Sequence, residues 1–151
     1  MADGYPDLRI DRYVTVVQGD QHHQARLRGW LDGHDGTRPI YRLELLTSQG
    51  TYGGPYTATG PDMFEALVRL RRQLEPEGLR IAIQGSRRDA YPSGMARDMG
   101  GGERVYVLRP GRTARRDDLV DTFAEAPPDQ LATVDEQRTF WEAWLKEADK
   151  A

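Results

Sequence analysis

Cysteine is absent from this 151-residue sequence, and lysine is nearly absent. Without cysteine there are no disulfides, no thiolate zinc sites and no cysteine nucleophiles. Lys146 and Lys150 are the only lysines, so arginine supplies almost all of the positive charge. Selection for the bidentate guanidinium group would give this bias, and so would a GC-rich coding sequence.

Long apolar runs are also absent. No run of about 18 apolar residues occurs, so the sequence predicts no transmembrane helix. Residues 1–7 lack the basic start and apolar stretch of a secretory signal, which predicts a cytoplasmic protein. The composition, with 38% hydrophobic and 30% charged residues, is typical of a globular chain, and the length predicts a single domain over residues 1–151.

Residues with catalytic or metal-binding chemistry are few. The three histidines are His22, His23 and His34, and adjacent histidines on a strand point to opposite faces, so they do not readily share a metal ion. Ser93 lies in a Pro-Ser-Gly sequence rather than in a nucleophile elbow. The sequence therefore predicts no metal site and no cofactor, and it favours a non-enzymatic function.

Charge is segregated along the chain, although the net charge is only −3. Residues 86–116 hold eight arginines against three acidic residues, and residues 117–151 hold ten acidic residues against three basic ones. Two interpretations stay open. Either the acidic tail folds back and neutralises the basic segment, or the protein has one basic and one acidic face.

Three strands are predicted in the first third of the chain. Residues 12–17 are rich in β-branched side chains, and apolar and polar residues alternate over 23–31 and 41–45. Because the connections are short and contain turn-forming residues, the strands are expected to form an antiparallel meander. Residues 1–8 are predicted to be a flexible leader, and residues 48–55 a glycine-rich connection.

An amphipathic helix is predicted over 61–74, with Thr59 or Gly60 as its N-cap. Alternating apolar residues then predict strands at 79–83 and 105–108. A short helix is expected at 119–123, and a capping box of Thr133 and Glu136 predicts a final helix over 133–148. The connecting segments are 110–118 and 124–132.

Together these patterns predict an α+β fold in the order β-β-β-α-β-β-α. About five strands form a mostly antiparallel sheet, and two helices pack on one face of it. The last helix carries a wide apolar arc of Phe140, Trp141, Trp144 and Leu145. Packing on the sheet is the ordinary explanation for this arc, and a partner groove or a homodimer contact is the alternative.

The connection between the last two predicted strands is the candidate functional site. Residues 85–102 form a connection of 18 residues, whereas hairpin loops have about two to five, and long loops are usually functional or disordered. Met95 and Met99 are spaced for one face of a helix, and Ser93 is suited to cap it. The candidate partner-binding residues are Arg87, Arg88, Asp89, Tyr91, Ser93, Met95, Arg97 and Asp98.

A protein partner is the favoured ligand of this segment, because arginine, tyrosine and methionine are enriched at interfaces and an acidic surface would complement the arginines. An anion or small ligand is the alternative, bound by the glycine amides at 100–102 with Arg87, Arg88 and Arg97. Nucleic acid is disfavoured by the acidic pI of about 5.6, although Tyr91 offers a stacking surface.

Two further interpretations of the segment stay open. An enzyme would use Asp89, Ser93 and Arg97 and would need a concave pocket beneath the segment. In the structural alternative, Met95 and Met99 fill an edge of the core, while the charged side chains near them are solvated.

Three stretches carry a resemblance to known proteins: Gly60-Pro61-Asp62 through Glu77-Gly78, then 85–99, and Val105-Tyr106-Val107-Leu108. This pattern resembles small uncharacterised bacterial proteins of high arginine content, and the shape expected for them is similar to that of immunity proteins of polymorphic toxin systems. The resemblance covers about residues 50–110. It implies a protein that binds its partner stoichiometrically, and it carries over no catalytic residue.

Overall fold

The computed structural model describes residues 7–48 and 55–150 and confirms the α+β fold class. The chain divides into two compact units, with the boundary between Ile81 and Ala82. The single domain expected for residues 1–151 stays a prediction. In the part of the chain that the structure describes, no helix is long and apolar enough to cross a membrane.

The first unit is built on a five-stranded antiparallel sheet in the order β4-β3-β2-β1-β5. Its strands are β1 Asp7–Gln18, β2 Gln21–Asp35, β3 Arg38–Leu46, β4 Tyr56–Gly60 and β5 Leu79–Ile81. Alternate side chains of these strands are buried, as the period of two in the sequence predicts. The antiparallel meander of the first three strands is confirmed, and β4 and β5 extend it at its two edges.

β1 begins earlier than the sequence predicts. Asp7 and Leu8 pair with Leu31 and Trp30 of β2, so the prediction of a flexible leader is wrong at these two residues. Hydrogen bonds from a neighbouring strand order exposed residues that show no periodic pattern of their own. The rest of the predicted leader, 1–6, lies outside the described residues, as do residues 49–54 of the predicted glycine-rich connection.

Helix α1, Met63–Leu74, packs on β3, β4 and β5. Its N-cap is Asp62, whose carboxylate accepts a hydrogen bond of 2.8 Å from the Glu65 amide. The predicted caps, Thr59 and Gly60, are wrong because both residues pair with β3 as the end of β4. An N-cap needs one residue free of the preceding strand, and Asp62 is the first polar residue that satisfies this condition.

Arg71 lies on the apolar face of α1 and is buried. Desolvation lowers the pKa of Arg71 to about 10, and the charge of Glu75 opposes this shift. The guanidinium therefore stays charged at neutral pH inside the core of the first unit.

The second unit contains a three-stranded antiparallel sheet in the order β6-β7-β8. Its strands are β6 Ala90–Tyr91, β7 Arg104–Val107 and β8 Leu119–Asp121. The strand predicted at 105–108 is therefore present, but it belongs to this second sheet. The short helix predicted at 119–123 is wrong, because Val120 pairs with Val105 across β8 and β7. Strands of two or three residues are too short to show a period in the sequence.

Two helices complete the second unit: α2, Gly94–Asp98, and α3, Val134–Lys150, which packs on β6. The predicted capping box of α3 is confirmed. The Thr133 amide donates to the Glu136 carboxylate at 2.8 Å, and the Glu136 amide donates to the Thr133 hydroxyl at 3.1 Å. Short 3₁₀ turns at Arg116–Asp118 and Pro128–Gln130 lie in the predicted connecting segments.

Gly60 provides a test of how closely β4 approaches α1. A Cβ atom added at Gly60 would lie 2.7 Å from the backbone nitrogen of Ala66, which cannot move without disturbing the helix. We expect Gly60→Ala to lower the free energy of unfolding by about 1–3 kcal/mol, measured by urea denaturation. Gly94→Ala is the control, because an added Cβ there meets nothing within 4 Å. An unchanged urea midpoint for Gly60→Ala would contradict the close approach.

Candidate functional site

The candidate segment, residues 86–99, is a folded element of the second unit. Backbone hydrogen bonds tie its beginning to residues that come much later in the chain. The Arg88 amide donates to the Gln130 carbonyl at 2.9 Å, and the Ser86 carbonyl accepts from the Ala132 amide at 3.2 Å. The start of the segment is thus held in a defined position by the residues that precede α3.

Gln137 ties the same region to α3. Its side-chain amide donates to the carbonyl oxygens of Gly85 and Arg87, each at 2.8 Å, and the residue is buried. Sequence reasoning missed this contact. The available signal was a glutamine at the spacing of the apolar face of α3, three residues after Val134 and four before Trp141.

Arg87 and Asp89 bind one another. The Arg87 guanidinium donates to both Asp89 carboxylate oxygens, at 2.8 and 2.9 Å, and also to the Gln84 side chain at 3.1 Å. The two side chains are only 18% and 25% exposed. Both residues were candidates for partner binding, and the structure assigns their polar groups to an internal ion pair that braces the start of the segment.

Tyr91 also has an intramolecular partner. Its ring stacks on Trp141 with the ring centroids 4.3 Å apart and an angle of 13° between the planes. The Arg97 guanidinium carbon lies over the Tyr91 ring, 5.5 Å from its centroid. The structure therefore brings two candidate residues, Tyr91 and Arg97, together with an aromatic residue of α3 in one layered cluster.

Ser93 is the N-cap of α2, as the sequence predicts. Its hydroxyl accepts a hydrogen bond of 3.0 Å from the Ala96 amide. At the other end of α2, the amides of Gly100 and Gly102 donate to the Ala96 carbonyl at 3.1 and 3.0 Å. These two amides close the helix, so the prediction of an anion nest is wrong for them. Asp98 is the last residue of α2 and is exposed.

Met95 and Met99 project from α2 into solvent. Their exposed fractions are 71% and 82%, so the interpretation that they fill an edge of the core is wrong. They line a hollow of about 520 Å³, which we call the α2 hollow. Its other walls include Ser93, Arg104, Tyr106 and Leu119.

Two further hollows lie within the second unit, and the first of them adjoins the α2 hollow. The aromatic hollow, about 360 Å³, shares Ser93 and Tyr106 with it and is also lined by Tyr91, Trp141 and Trp144. The arginine hollow, about 430 Å³, shares Leu108 with the aromatic hollow and is lined by Arg88, Arg109, Leu131 and Phe140. The aromatic arc predicted on the last helix thus forms walls of the candidate site as well as packing on β6.

Trp144 fixes one side of the aromatic hollow. Its indole N–H donates to the carbonyl oxygens of Arg109 and Arg112, at 3.0 and 3.1 Å. These bonds attach the polar segment after β7 to α3 and satisfy the one donor of the indole. The sequence predicts the tryptophan but gives no sign of which carbonyl groups it meets.

The acidic tail does contact the basic segment, through Asp118. The Asp118 carboxylate accepts hydrogen bonds from the Arg112 guanidinium at 2.8 Å, the Arg115 amide at 3.0 Å and the Arg109 guanidinium at 3.4 Å. The bond from the Arg115 amide, followed by the charges of Arg112 and Arg109, lowers the pKa of Asp118. Part of the charge segregation is therefore self-neutralisation by Asp118.

The three histidines lie in the first unit, away from the 86–99 segment in sequence. His22 and His34 are exposed, as expected for residues near turns. His23 is half-buried, one ring nitrogen lies 3.1 Å from the Thr47 hydroxyl, and burial lowers the pKa of His23. The structure gives no reason to assign the histidines to a common site.

Comparison with known proteins assigns no family. No protein-family model matches the chain, and no curated protein matches it.

The internal ion pair of the segment predicts a coupled loss of stability. We expect Arg87→Ala to lower the free energy of unfolding by about 1–3 kcal/mol, because it leaves the half-buried Asp89 carboxylate without its charged donor. The double variant Arg87→Ala, Asp89→Ala should lose less than the two single variants together. Chemical denaturation of all three variants measures this coupling, with exposed Arg104→Ala as the control. Strictly additive losses would argue against the pair.

Asp118 predicts a pH-dependent contribution to stability. Since its pKa is lowered in the folded protein, the contribution is complete above the ordinary aspartate pKa of about 3.9 and is lost as the pH falls through the folded value. We expect Asp118→Asn to unfold at lower temperature than the parent at pH 7, with the difference shrinking below about pH 4. Asp117→Asn, at an exposed neighbour, is the control. A difference that stays constant with pH would count against a role for the carboxylate charge.

Proposed function

We propose that this chain is a non-enzymatic protein-binding domain that associates stoichiometrically with another protein through the 86–99 segment. The observation that carries the proposal is the exposure of Met95 and Met99 on one side of α2. Each methionine side chain gains about 1.5–3 kcal/mol when it is fully buried, so covering both is a substantial driving force for association.

The helix that presents these methionines is fixed at both ends. Ser93 caps its first turn, and the amides of Gly100 and Gly102 close its last turn. A surface that is already ordered loses little conformational entropy when a partner binds. Methionine adds adaptability, because its unbranched side chain packs against partners of different shape.

The α2 hollow and the aromatic hollow offer a place for side chains of the partner. Interfaces derive most of their affinity from a few anchors that fill such pockets near the centre of the contact. The exposed Arg104 lies at the α2 hollow, within the segment that carries the excess of arginine. A partner with an acidic surface would therefore be steered towards this side of the second unit.

The type of binder is an immunity, adaptor or regulatory protein. The resemblance to immunity proteins of polymorphic toxin systems supports the same class, a stoichiometric binder, and names no partner. The proposed setting is the bacterial cytoplasm, which rests on the sequence and the resemblance. A second copy of the chain is the alternative partner, because a self-association through the same methionines would bury the same surface.

The test compares two surface sites whose side chains are similarly exposed. Met95→Glu combined with Met99→Glu places charge on the proposed interface, whereas Tyr13→Glu places charge on β1, where Tyr13 is 72% exposed. Tagged parent and variants are used to retain a partner from a lysate of cells that naturally express the chain, and the retained protein is then purified for calorimetry. We expect the methionine variant to bind at least about thirty-fold more weakly and Tyr13→Glu to bind like the parent.

The same experiment includes controls and an outcome that would contradict the proposal. Thermal unfolding of the methionine variant should match that of the parent, since both side chains are exposed. Sedimentation of the parent alone distinguishes self-association from a separate partner. If the methionine variant retains the partner as well as the parent does, the 86–99 segment is not the binding surface.

A further inference from the structure

Arg88 and Arg109 lie beside the end of the β6–β7 ladder. The register of that ladder places Ala90 opposite Val107, and the Leu108 amide donates to the Asp89 carbonyl at 2.6 Å, which continues the pairing by one residue. The pairing ends there, because Arg88 lies in the turn before β6 and Arg109 follows β7 outside any strand. Both arginines line the arginine hollow, where two positive charges repel each other unless an anion lies between them.

Contacts fix the position of Arg88, but no acidic side chain among the described residues neutralises its guanidinium charge. Its amide is bonded to the Gln130 carbonyl, and its guanidinium carbon lies 4.9 Å from the centroid of the Phe140 ring. Among residues 7–48 and 55–150, the Arg88 side chain has no hydrogen-bond or ion-pair partner. A guanidinium that lies over an aromatic ring keeps its N–H groups, which point outward in its own plane, for another acceptor.

The Arg109 side chain also has N–H donors that are not used among the described residues of the second unit. Its carbonyl is fixed by the Trp144 indole at 3.0 Å, while its side chain is 59% exposed. The Nε atom makes only a long contact of 3.4 Å to Asp118, a carboxylate that has closer donors in Arg112 and the Arg115 amide. The two terminal nitrogens of Arg109 therefore remain for a ligand.

The arginine hollow gives such a ligand a place. Its volume is about 430 Å³, and its apolar walls include Leu108, Leu131 and Phe140. Two acids, Asp89 and Asp129, also line it. The charge of Asp89 is compensated by its two bonds to Arg87, which leaves two guanidinium groups against the single exposed carboxylate of Asp129. A net charge of one suits a monoanion better than a dianion such as phosphate.

We propose that the arginine hollow binds a carboxylate carried by an apolar or aromatic group. Arg88 and Arg109 donate to the carboxylate oxygens, and the apolar group lies against Phe140, Leu108 and Leu131. This ligand compensates the two positive charges that line the hollow. The site shares Arg88 with the 86–99 segment, but it uses neither the methionines nor the α2 hollow.

The carboxylate has two possible sources, a small organic acid or the carboxyl terminus of a polypeptide. Both present the same chemistry to the two guanidinium groups. They differ in the length of the molecule beyond the apolar group, since a polypeptide needs an open path out of the hollow. The experiment therefore includes one probe of each kind.

The test is a titration of the ¹⁵N-labelled full chain followed by NMR. The probes are 3-phenylpropionate, inorganic phosphate, and a glycine–glycine–phenylalanine tripeptide with either a free or an amidated carboxyl terminus. We expect 3-phenylpropionate to shift the amide signals of residues 88, 109, 131 and 140, with weaker binding at high salt. Arg88→Gln and Arg109→Gln should each weaken binding at least about tenfold, without lowering the melting temperature.

Arg104→Gln is the matched control, because Arg104 is an exposed arginine of the same basic segment that lines the α2 hollow instead. It should bind 3-phenylpropionate like the parent, as should the methionine variant. Binding of the free tripeptide as well supports a polypeptide terminus, and its absence supports a small acid. The proposal is overturned if neither acid shifts these signals, if phosphate or the amidated tripeptide binds equally well, or if Arg104→Gln is as damaging as Arg88→Gln.

Discussion

Two hydrogen bonds from one buried glutamine hold the second unit's candidate site in place. The side-chain amide of buried Gln137 donates to the carbonyl oxygens of Gly85 and Arg87. A buried donor that loses its acceptor costs about 1–3 kcal/mol, so the chain before β6 has a strong reason to remain against α3. Since β6 and α2 come directly after it, the position of α3 determines where the methionines of α2 are presented.

This constraint explains an unusual distribution of polar and apolar groups. Inside the second unit, glutamine, arginine and tryptophan donors meet backbone or carboxylate acceptors, whereas two large apolar side chains, Met95 and Met99, are left in water. A scaffold whose polar groups are satisfied internally is rigid and gains little from further polar contacts. Such a scaffold offers apolar surface to a partner, together with those guanidinium groups that have no internal acceptor.

The sequence predicts the elements that carry their own local signal. The alternation over 23–31, the stripe of α1 and the capping box of Thr133 and Glu136 each depend on residues near one another in the chain, and all three are present. The N-cap of α2 by Ser93 also depends only on neighbouring residues in the chain, and it is present as predicted. The short strands β6 and β8 were missed because β7 supplies their hydrogen bonds, and a sequence of two or three residues has no period. For the same reason, the sequence does not show that Arg88 and Arg109 line one hollow.

The contacts also change the interpretation of the excess positive charge in residues 86–116. Arg87 is compensated by Asp89, two residues away, and Arg112 by Asp118, so neither contributes much to the field outside the molecule. Arg88 differs, because an aromatic ring fixes its direction and leaves its charge uncompensated. The number of arginines in the sequence therefore overstates how basic the surface is. It also gives no sign that the remaining guanidinium groups are held in fixed positions. The guanidinium groups that remain are few and held by their surroundings, which is the condition for recognising one ligand rather than attracting anions in general.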